Sequence, residues 1–207
     1  MKRILFQGDS ITDVNRSREN ERNLGWGYPN LVSAELSYEN PGKYEFFNRG
    51  VSGSNVVGLY ARSKKDIINL NPDVMSILIG VNDVWHELSE QNGVDAEKYF
   101  KIYSMLIEEV KEALPDVKMI ILEPFVLKGE ATEQNLEYFY SETQKRAEKA
   151  RMVADKYGLK FVPLQEKFNE AEKLAPSSYW LFDGVHPTYA GHEILKREWI
   201  KTFKALG

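Results

Sequence analysis

"DVMSILIG", residues 73–80, is the stretch whose reading decides the fold. From Val74 to Ile79 only Ser76 interrupts the apolar run, and Gly80 cuts it off. A run this short is too brief for an ordinary helix. A strand with one wet face would alternate polar and apolar residues, and this one does not. It is therefore expected to be a strand buried on both faces, as in a parallel sheet covered by helices.

The same pattern recurs outward along the chain. "KRILFQ" (2–7), "YEFFNRG" (44–50), "VKMIILEP" (117–124) and "LKFVPL" (159–164) are the other expected strands. Helical spacing lies between them: "YPNLVSAELSYE" (28–39) with Pro29 near its start, the amphipathic "VVGLYARSKKDIINL" (56–70), and 96–115, stopped by Pro115. A helix-rich stretch at 132–158 ends on a glycine suited to a C-cap, and a last helix covers about 188–205. Alternating strands and helices predict a three-layer α/β/α sandwich on a five-stranded parallel sheet. No repeat or linker interrupts residues 1–207, so one domain is the simple reading. "VWHELSEQNGVD" (84–95) is expected to be a polar loop that could act as a lid, with His86 solvated or on a pocket rim.

Composition narrows the function. The 207 residues are 43% hydrophobic and 28% charged, with a net charge of −4, so a basic surface for nucleic acid or anionic membrane is not expected. There is no cysteine, which removes disulfides, zinc thiolates and a thiol nucleophile. "MKRILFQGDS" has too short an apolar run for a secretory leader, and no stretch is long enough for a membrane span, so a cytoplasmic location is the default expectation.

In such a sheet the ligand site lies at the carboxyl ends of the strands. "GDSITD" (8–13) follows the first strand and puts Ser10 there; taken alone, a Gly-Asp-Ser turn reads as a helix N-cap. "NRGVSGSN" (48–55) follows the second and offers Gly53, whose backbone N–H no Cβ shields. "GVNDVW" (80–85) follows the third and offers the Asn82 amide, although Gly-x-Asn-Asp is also a common turn. "DGVHP" (183–187) sets Asp183 three residues before His186, so one loop can bring an acid to orient an imidazole. His192 opens "HEILKREWIKTF", whose apolar residues have helical spacing, and is expected to be structural. Each signal is weak alone. Together they supply a nucleophile, a base with its orienter and oxyanion donors on one edge, a set that core packing does not require.

"GDSITD", "NRGVSG", "GVND" and "DGVH" resemble, in order and rough spacing, the four sequence blocks of the SGNH (GDSL-type) hydrolases. The resemblance spans Gly8 to His186. It implies a flavodoxin-like sandwich, Ser10 as nucleophile, His186 as base and Asp183 as its partner. The backbone N–H groups of Ser10 and Gly53 and the Asn82 amide would form the oxyanion hole, and no cofactor or metal would be needed. Ile11 stands where many members carry Leu. The longer matches "LFQGDSITD", "NRGVSGSNVVGLYAR" and "SILIGVNDVW" look like the family's bacterial acetyl-xylooligosaccharide esterases, often intracellular homo-oligomers. That likeness implies acetylated xylo-oligosaccharides as substrates. Asp9, Trp85, Trp180 and Phe182 are candidate substrate contacts, with Phe182 where that subgroup carries Trp. Trp26, Tyr28 and Tyr179 could also line a sugar site. Rival readings are a lipase, lysophospholipase or thioesterase on the same scaffold, and a non-catalytic binding module. A metal-dependent phosphoesterase fits poorly, because three histidines give no dense cluster of ligands.

Overall fold

A computed structural model describes residues 1–206. All five expected strands are present: β1 (Lys2–Gly8), β2 (Tyr44–Asn48), β3 (Val74–Leu78), β4 (Lys118–Leu122) and β5 (Lys160–Val162). They pair in parallel in the order β2-β1-β3-β4-β5. The chain leaves β1 for one side and returns to pair β3 on the other. This makes a topological switch point at the carboxyl end of β1, the place where ligands bind in open α/β sheets.

Ten helices accompany the strands among the described residues: α1 (Ser10–Asp13), α2 (Tyr28–Glu39), α3 (Val56–Ala61), α4 (Ser63–Asp66), α5 (Val81–Glu90), α6 (Ala96–Ala113), α7 (Leu136–Tyr157), α8 (Gln165–Glu172), α9 (Ser177–Trp180) and α10 (Tyr189–Lys204). Because strand side chains alternate, the sheet feeds two cores. Ile4, Phe6, Val74, Leu78, Ile120 and Leu122 pack against α2 and α10. Leu5, Met75, Ile77, Met119 and Ile121 pack against α3, α6 and α7. Trp199 of α10 is fully buried, with its ring 5.3 Å from Phe6. Truncating such a ring to Ala costs about 3–5 kcal/mol, so the helix that follows the Asp183–His186 loop is firmly seated. No helix among the described residues is long and apolar enough to cross a membrane.

Two stretches depart from expectation. The 56–70 segment is not one helix: α3 ends at Ala61, α4 covers one turn, and a 3-10 turn spans Ile68–Leu70. Arg62 sits at the break and turns inward, donating from Nη2 to the Gly8 carbonyl and to Gln7 Oε1, both at 3.0 Å, with Asp66 as its ion-pair partner. The expected polar loop at 84–95 is mostly helix, since α5 continues to Glu90. Gly80, at φ +141°, turns the chain straight from β3 into α5, a conformation open to glycine alone. Glu87, Ser89 and Glu90 are exposed on that helix and His86 is half-buried. Gln91 closes it in a left-handed conformation, and the Val94 N–H donates to the Asp83 carbonyl. A free lid is not what this segment forms.

Candidate active site

Ser10 is the first residue of α1, directly after β1. It does not cap that helix. Asp9 does, through an Oδ1 that accepts the Ile11 N–H at 2.9 Å. The Ser10 hydroxyl is thereby left for other work, and its N–H, the first of a helix, has no intrahelical acceptor. Asp9, a candidate substrate contact in the sequence, is 1% exposed, so that assignment is corrected: its carboxyl is a buried cap. Burial pushes its pKa up to about 7, against the hydrogen bond from Ile11 and the nearby charge of His186.

The 181–187 loop brings the acid and the base together. Asp183 Oδ1 accepts the backbone N–H groups of Val185 at 2.9 Å and His186 at 2.8 Å, an Asx-type turn that the short side chain of aspartate allows. Its Oδ2 lies 2.7 Å from His186 Nδ1. An ionised carboxylate only accepts, so Nδ1 carries the proton and Nε2 keeps its lone pair. That Nε2 is 2.9 Å from Ser10 Oγ, across 176 residues of chain. The loop is stapled by the Phe182 N–H to the His186 carbonyl at 2.8 Å and by a bridge between Leu181 and Pro187. The loop after β4 supports it: the N–H groups of Leu127 and Ala131 donate to the carbonyls of Gly184 and Asp183, each at 2.9 Å. A Cβ on Gly129 would fall 2.2 Å from the Asp183 carbonyl carbon, so glycine is required at this approach.

Electrostatics follow this geometry. Burial would raise the Asp183 pKa, but hydrogen bonds from the His186 ring, the His186 backbone and Val185 outweigh it and bring it down to about 2. The hydrogen bond to Asp183 raises His186 above the usual histidine range; desolvation opposes this, and the charges of Asp183 and Asp9 add to it.

Gly53, in the loop after β2, and Asn82, at the start of α5, are tied together through Ser54. Gly53 is the third residue of a turn closed by the Ser54 N–H to the Val51 carbonyl at 3.0 Å, and its φ is +77°. No atom lies within 4 Å of where a Cβ would sit. Asn82, in the first turn of α5, gives one amide hydrogen to the Ser54 carbonyl at 3.0 Å. An amide carries two, and the second remains for another acceptor.

Ser10 and His186 open into a pocket of about 200 Å³ walled by Ile11, Val14, Trp26, Phe182, Pro187 and His192. Of the aromatic candidates, Phe182 and Trp26 are in this pocket. Trp85 lies beside it, its ring 6.0 Å from His186 and 5.9 Å from Phe139. Trp180 is not in the pocket, which corrects that assignment. Its indole N–H donates to the Ala175 carbonyl, and its ring lines a separate groove with Leu174 and Ile194. Tyr28 is fully buried, with its hydroxyl on Thr12. His192 is structural as expected: fully buried, its Nδ1 accepts the Tyr28 N–H at 3.1 Å. The pocket-lining Ile11, Val14, Ser52 and Pro187 carry no chemical signature and were not among the sequence candidates.

Comparisons with known proteins agree with this geometry. Residues 6–194 match the GDSL-like Lipase/Acylhydrolase family. An acetylxylan esterase from Geobacillus stearothermophilus is 36% identical over 207 residues, covering 97% of this chain and 93% of the relative. Among solved structures, a protein from Parabacteroides merdae assigned as a GDSL-like lipase superposes with a TM-score of 0.93 at 36% identity, covering 98% of this chain and 95% of the other. The crystal structure of the Geobacillus esterase superposes with a TM-score of 0.86 at 31% identity, covering 97% and 93%. Structures of that enzyme described as catalytic mutants replace one serine, one aspartate or one histidine by alanine, the last two three residues apart.

Proposed function

The chain belongs to the GDSL-like lipase/acylhydrolase family and is a carboxylic ester hydrolase, and from that premise we propose that Ser10, His186 and Asp183 deacetylate short xylan-derived oligosaccharides. The observation that carries the reading is the unbroken line from Asp183 Oδ2 to His186 Nδ1 and from His186 Nε2 to Ser10 Oγ, at 2.7 and 2.9 Å.

Ser10 Oγ attacks the acyl carbonyl carbon while its proton passes to His186 Nε2. The imidazolium formed is stabilised by Asp183. The carbonyl oxygen, now negative, takes hydrogen bonds from the N–H groups of Ser10 and Gly53 and from the free hydrogen of Asn82. When the tetrahedral species collapses, His186 returns the proton to the departing sugar oxygen, leaving acetyl on Ser10. Water then attacks that ester, giving its proton to His186. Collapse expels Ser10, which recovers a proton from His186, and acetate leaves.

A pocket of about 200 Å³ beside Ser10 suits a short acyl group. Trp26 and Phe182 line it, their ring centroids 6.4 Å apart, and Tyr189 packs on Trp26 at 5.0 Å. Phe182 is 57% and Tyr189 70% exposed, leaving flat apolar faces free to meet sugar rings. The Geobacillus relative, named for acetylxylan, points the same way. The test is a series of nitrophenyl esters from two to ten carbons beside a panel of acetylated xylo-oligosaccharides. Activity should be highest on acetate and fall steeply with chain length. A maximum at eight or ten carbons would replace this reading with that of a lipase or thioesterase.

A further inference from the structure

The Gly53 N–H can serve an oxyanion only if the Ser52–Gly53 peptide faces the right way. Val51 to Ser54 form a turn with Gly53 at its third position, at φ +77°, the type II arrangement. Types I and II differ by a flip of the central peptide, the very unit that carries the Gly53 N–H. The positive φ of Gly53 selects the second, but the turn itself is exposed, so its place relative to Ser10 must be held from outside.

Asp13, the last residue of α1, is placed to do so. It is 3% exposed. Its Oδ2 accepts both the backbone N–H and the hydroxyl of Ser52, each at 3.0 Å. Arg18 holds the same carboxylate from the other side, with Nη1 on Oδ1 at 2.9 Å and Nη2 on Oδ2 at 2.6 Å. Burial would raise the Asp13 pKa, but Arg18 and Ser52 lower it, so the carboxylate stays charged. The backbones are locked as well. The Val51 N–H donates to the Gly8 carbonyl at 3.1 Å, Asn48 Nδ2 to the Thr12 carbonyl at 2.6 Å, and Arg16 Nε to the Gly50 carbonyl at 2.9 Å. A Cβ on Gly50 would fall 2.3 Å from the Asp13 nitrogen. On the far side, Asn82 holds the Ser54 carbonyl, and Asp83 accepts the Val56 N–H at 3.1 Å.

We propose that Asp13, braced by Arg18, is a positioning residue that holds Ser52, and with it the turn carrying the Gly53 N–H, in its oxyanion-donating place relative to Ser10. α1 thus carries the nucleophile at its first residue and the anchor of the oxyanion loop at its last. The inference rests on Ser10 being the nucleophile, which fluorophosphonate labelling of the wild-type protein tests separately.

The experiment compares wild type with Asp13→Asn and Arg18→Met on nitrophenyl acetate. Active sites are counted by fluorophosphonate labelling, and an arylboronic acid serves as the probe of the tetrahedral state. Ser10 Oγ adds to its boron, and a boronate oxygen occupies the oxyanion position. Per labelled site, Asp13→Asn should lower kcat about 10- to 100-fold with KM little changed, and weaken the boronate by a similar factor. Arg18→Met, which leaves the carboxylate in place, should do the same more weakly, and it serves as the test should Asp13→Asn fail to fold. A kcat per labelled site at the wild-type value, or a fall in kcat without loss of boronate affinity, would overturn the proposal. If wild-type Ser10 does not label, the catalytic reading fails first.

Discussion

His186 and His192 stand six residues apart, on either side of the start of α10, and their chemistry is opposite. His186 is part-exposed, bonded to a carboxylate on one nitrogen and a hydroxyl on the other, and its pKa is raised. His192 is fully buried among Trp26, Tyr28 and Gly27, accepts one backbone N–H, and has no partner at Nε2. Burial, followed by the charge of His186, pushes its pKa down to about 3. The ring is the same in both. What differs is an acceptor that can share positive charge, and water beside it. A histidine becomes a base when its cation has somewhere to be stabilised, and a spacer when it has not.

The largest break of this contrast is a pair of alanine variants. His186→Ala removes the proposed base, hydrogen-bonded to Ser10, and should lower kcat by about 10⁵–10⁶-fold, as loss of a triad histidine does elsewhere. His192→Ala should retain kcat of the wild-type order but lose stability, about 1–3 kcal/mol for the stranded Tyr28 N–H alone. Steady-state kinetics and chemical denaturation of both decide it. If both variants lost activity equally, the distinction would collapse.

The next break removes the acceptor and keeps the ring. Asp183→Asn should lower kcat about 10⁴-fold, because an amide favours the wrong tautomer. It should also move the pH profile. His186 works as a base only when neutral, so in wild type kcat/KM should rise through an ionisation above the ordinary value of 6.5. Asp183 is the first cause of that elevation. In Asp183→Asn the acidic limb should therefore shift to lower pH. An unmoved limb would mean that another group sets it.

Much of this contrast was legible in the sequence, because it depends on short spacing. Asp183 and His186 are three apart in a Gly-Pro loop, and His192 opens an amphipathic helix. The apolar runs also marked all five strands, and 28–39 is helical to the residue. What failed depended on contacts across long separations. The 56–70 helix breaks at Arg62, whose side chain donates to the carbonyl of Gly8, fifty-four residues earlier. Asp9 looked available to substrate because nothing in the sequence says that the first β-strand delivers it under its own helix. In 84–95 the signal was present, with Val84, Trp85 and Leu88 at helical spacing, but the Gly-Val-Asn-Asp turn and the polar face concealed it. The Asp13–Ser52 anchor spans thirty-nine residues and has no local signature at all.

The smallest expected effect sharpens the comparison on the structural side. His192→Asn keeps an acceptor close to Nδ1 for the Tyr28 N–H but cannot take up a proton. In wild type the folded protein holds His192 neutral down to about pH 3, while the unfolded chain protonates it below about 6.5. The unfolded state then binds more protons, so wild type loses stability as the pH falls, by about 1.4 kcal/mol per unit from this group. Other groups act in the same window. Asp9 and Asp83, raised by burial to about 7 and 8, gain protons on folding and tilt the curve the opposite way. His186, whose folded pKa is raised, gives its full stabilising contribution below 6.5 and adds no slope there. These contributions are common to both proteins and cancel in the difference. The stability of His192→Asn minus that of wild type, measured by urea unfolding from pH 7 to pH 5, should therefore rise as the pH falls, whatever offset the cavity introduces. A flat difference would mean that His192 is protonated inside the fold, and that it shares more with His186 than its surroundings allow.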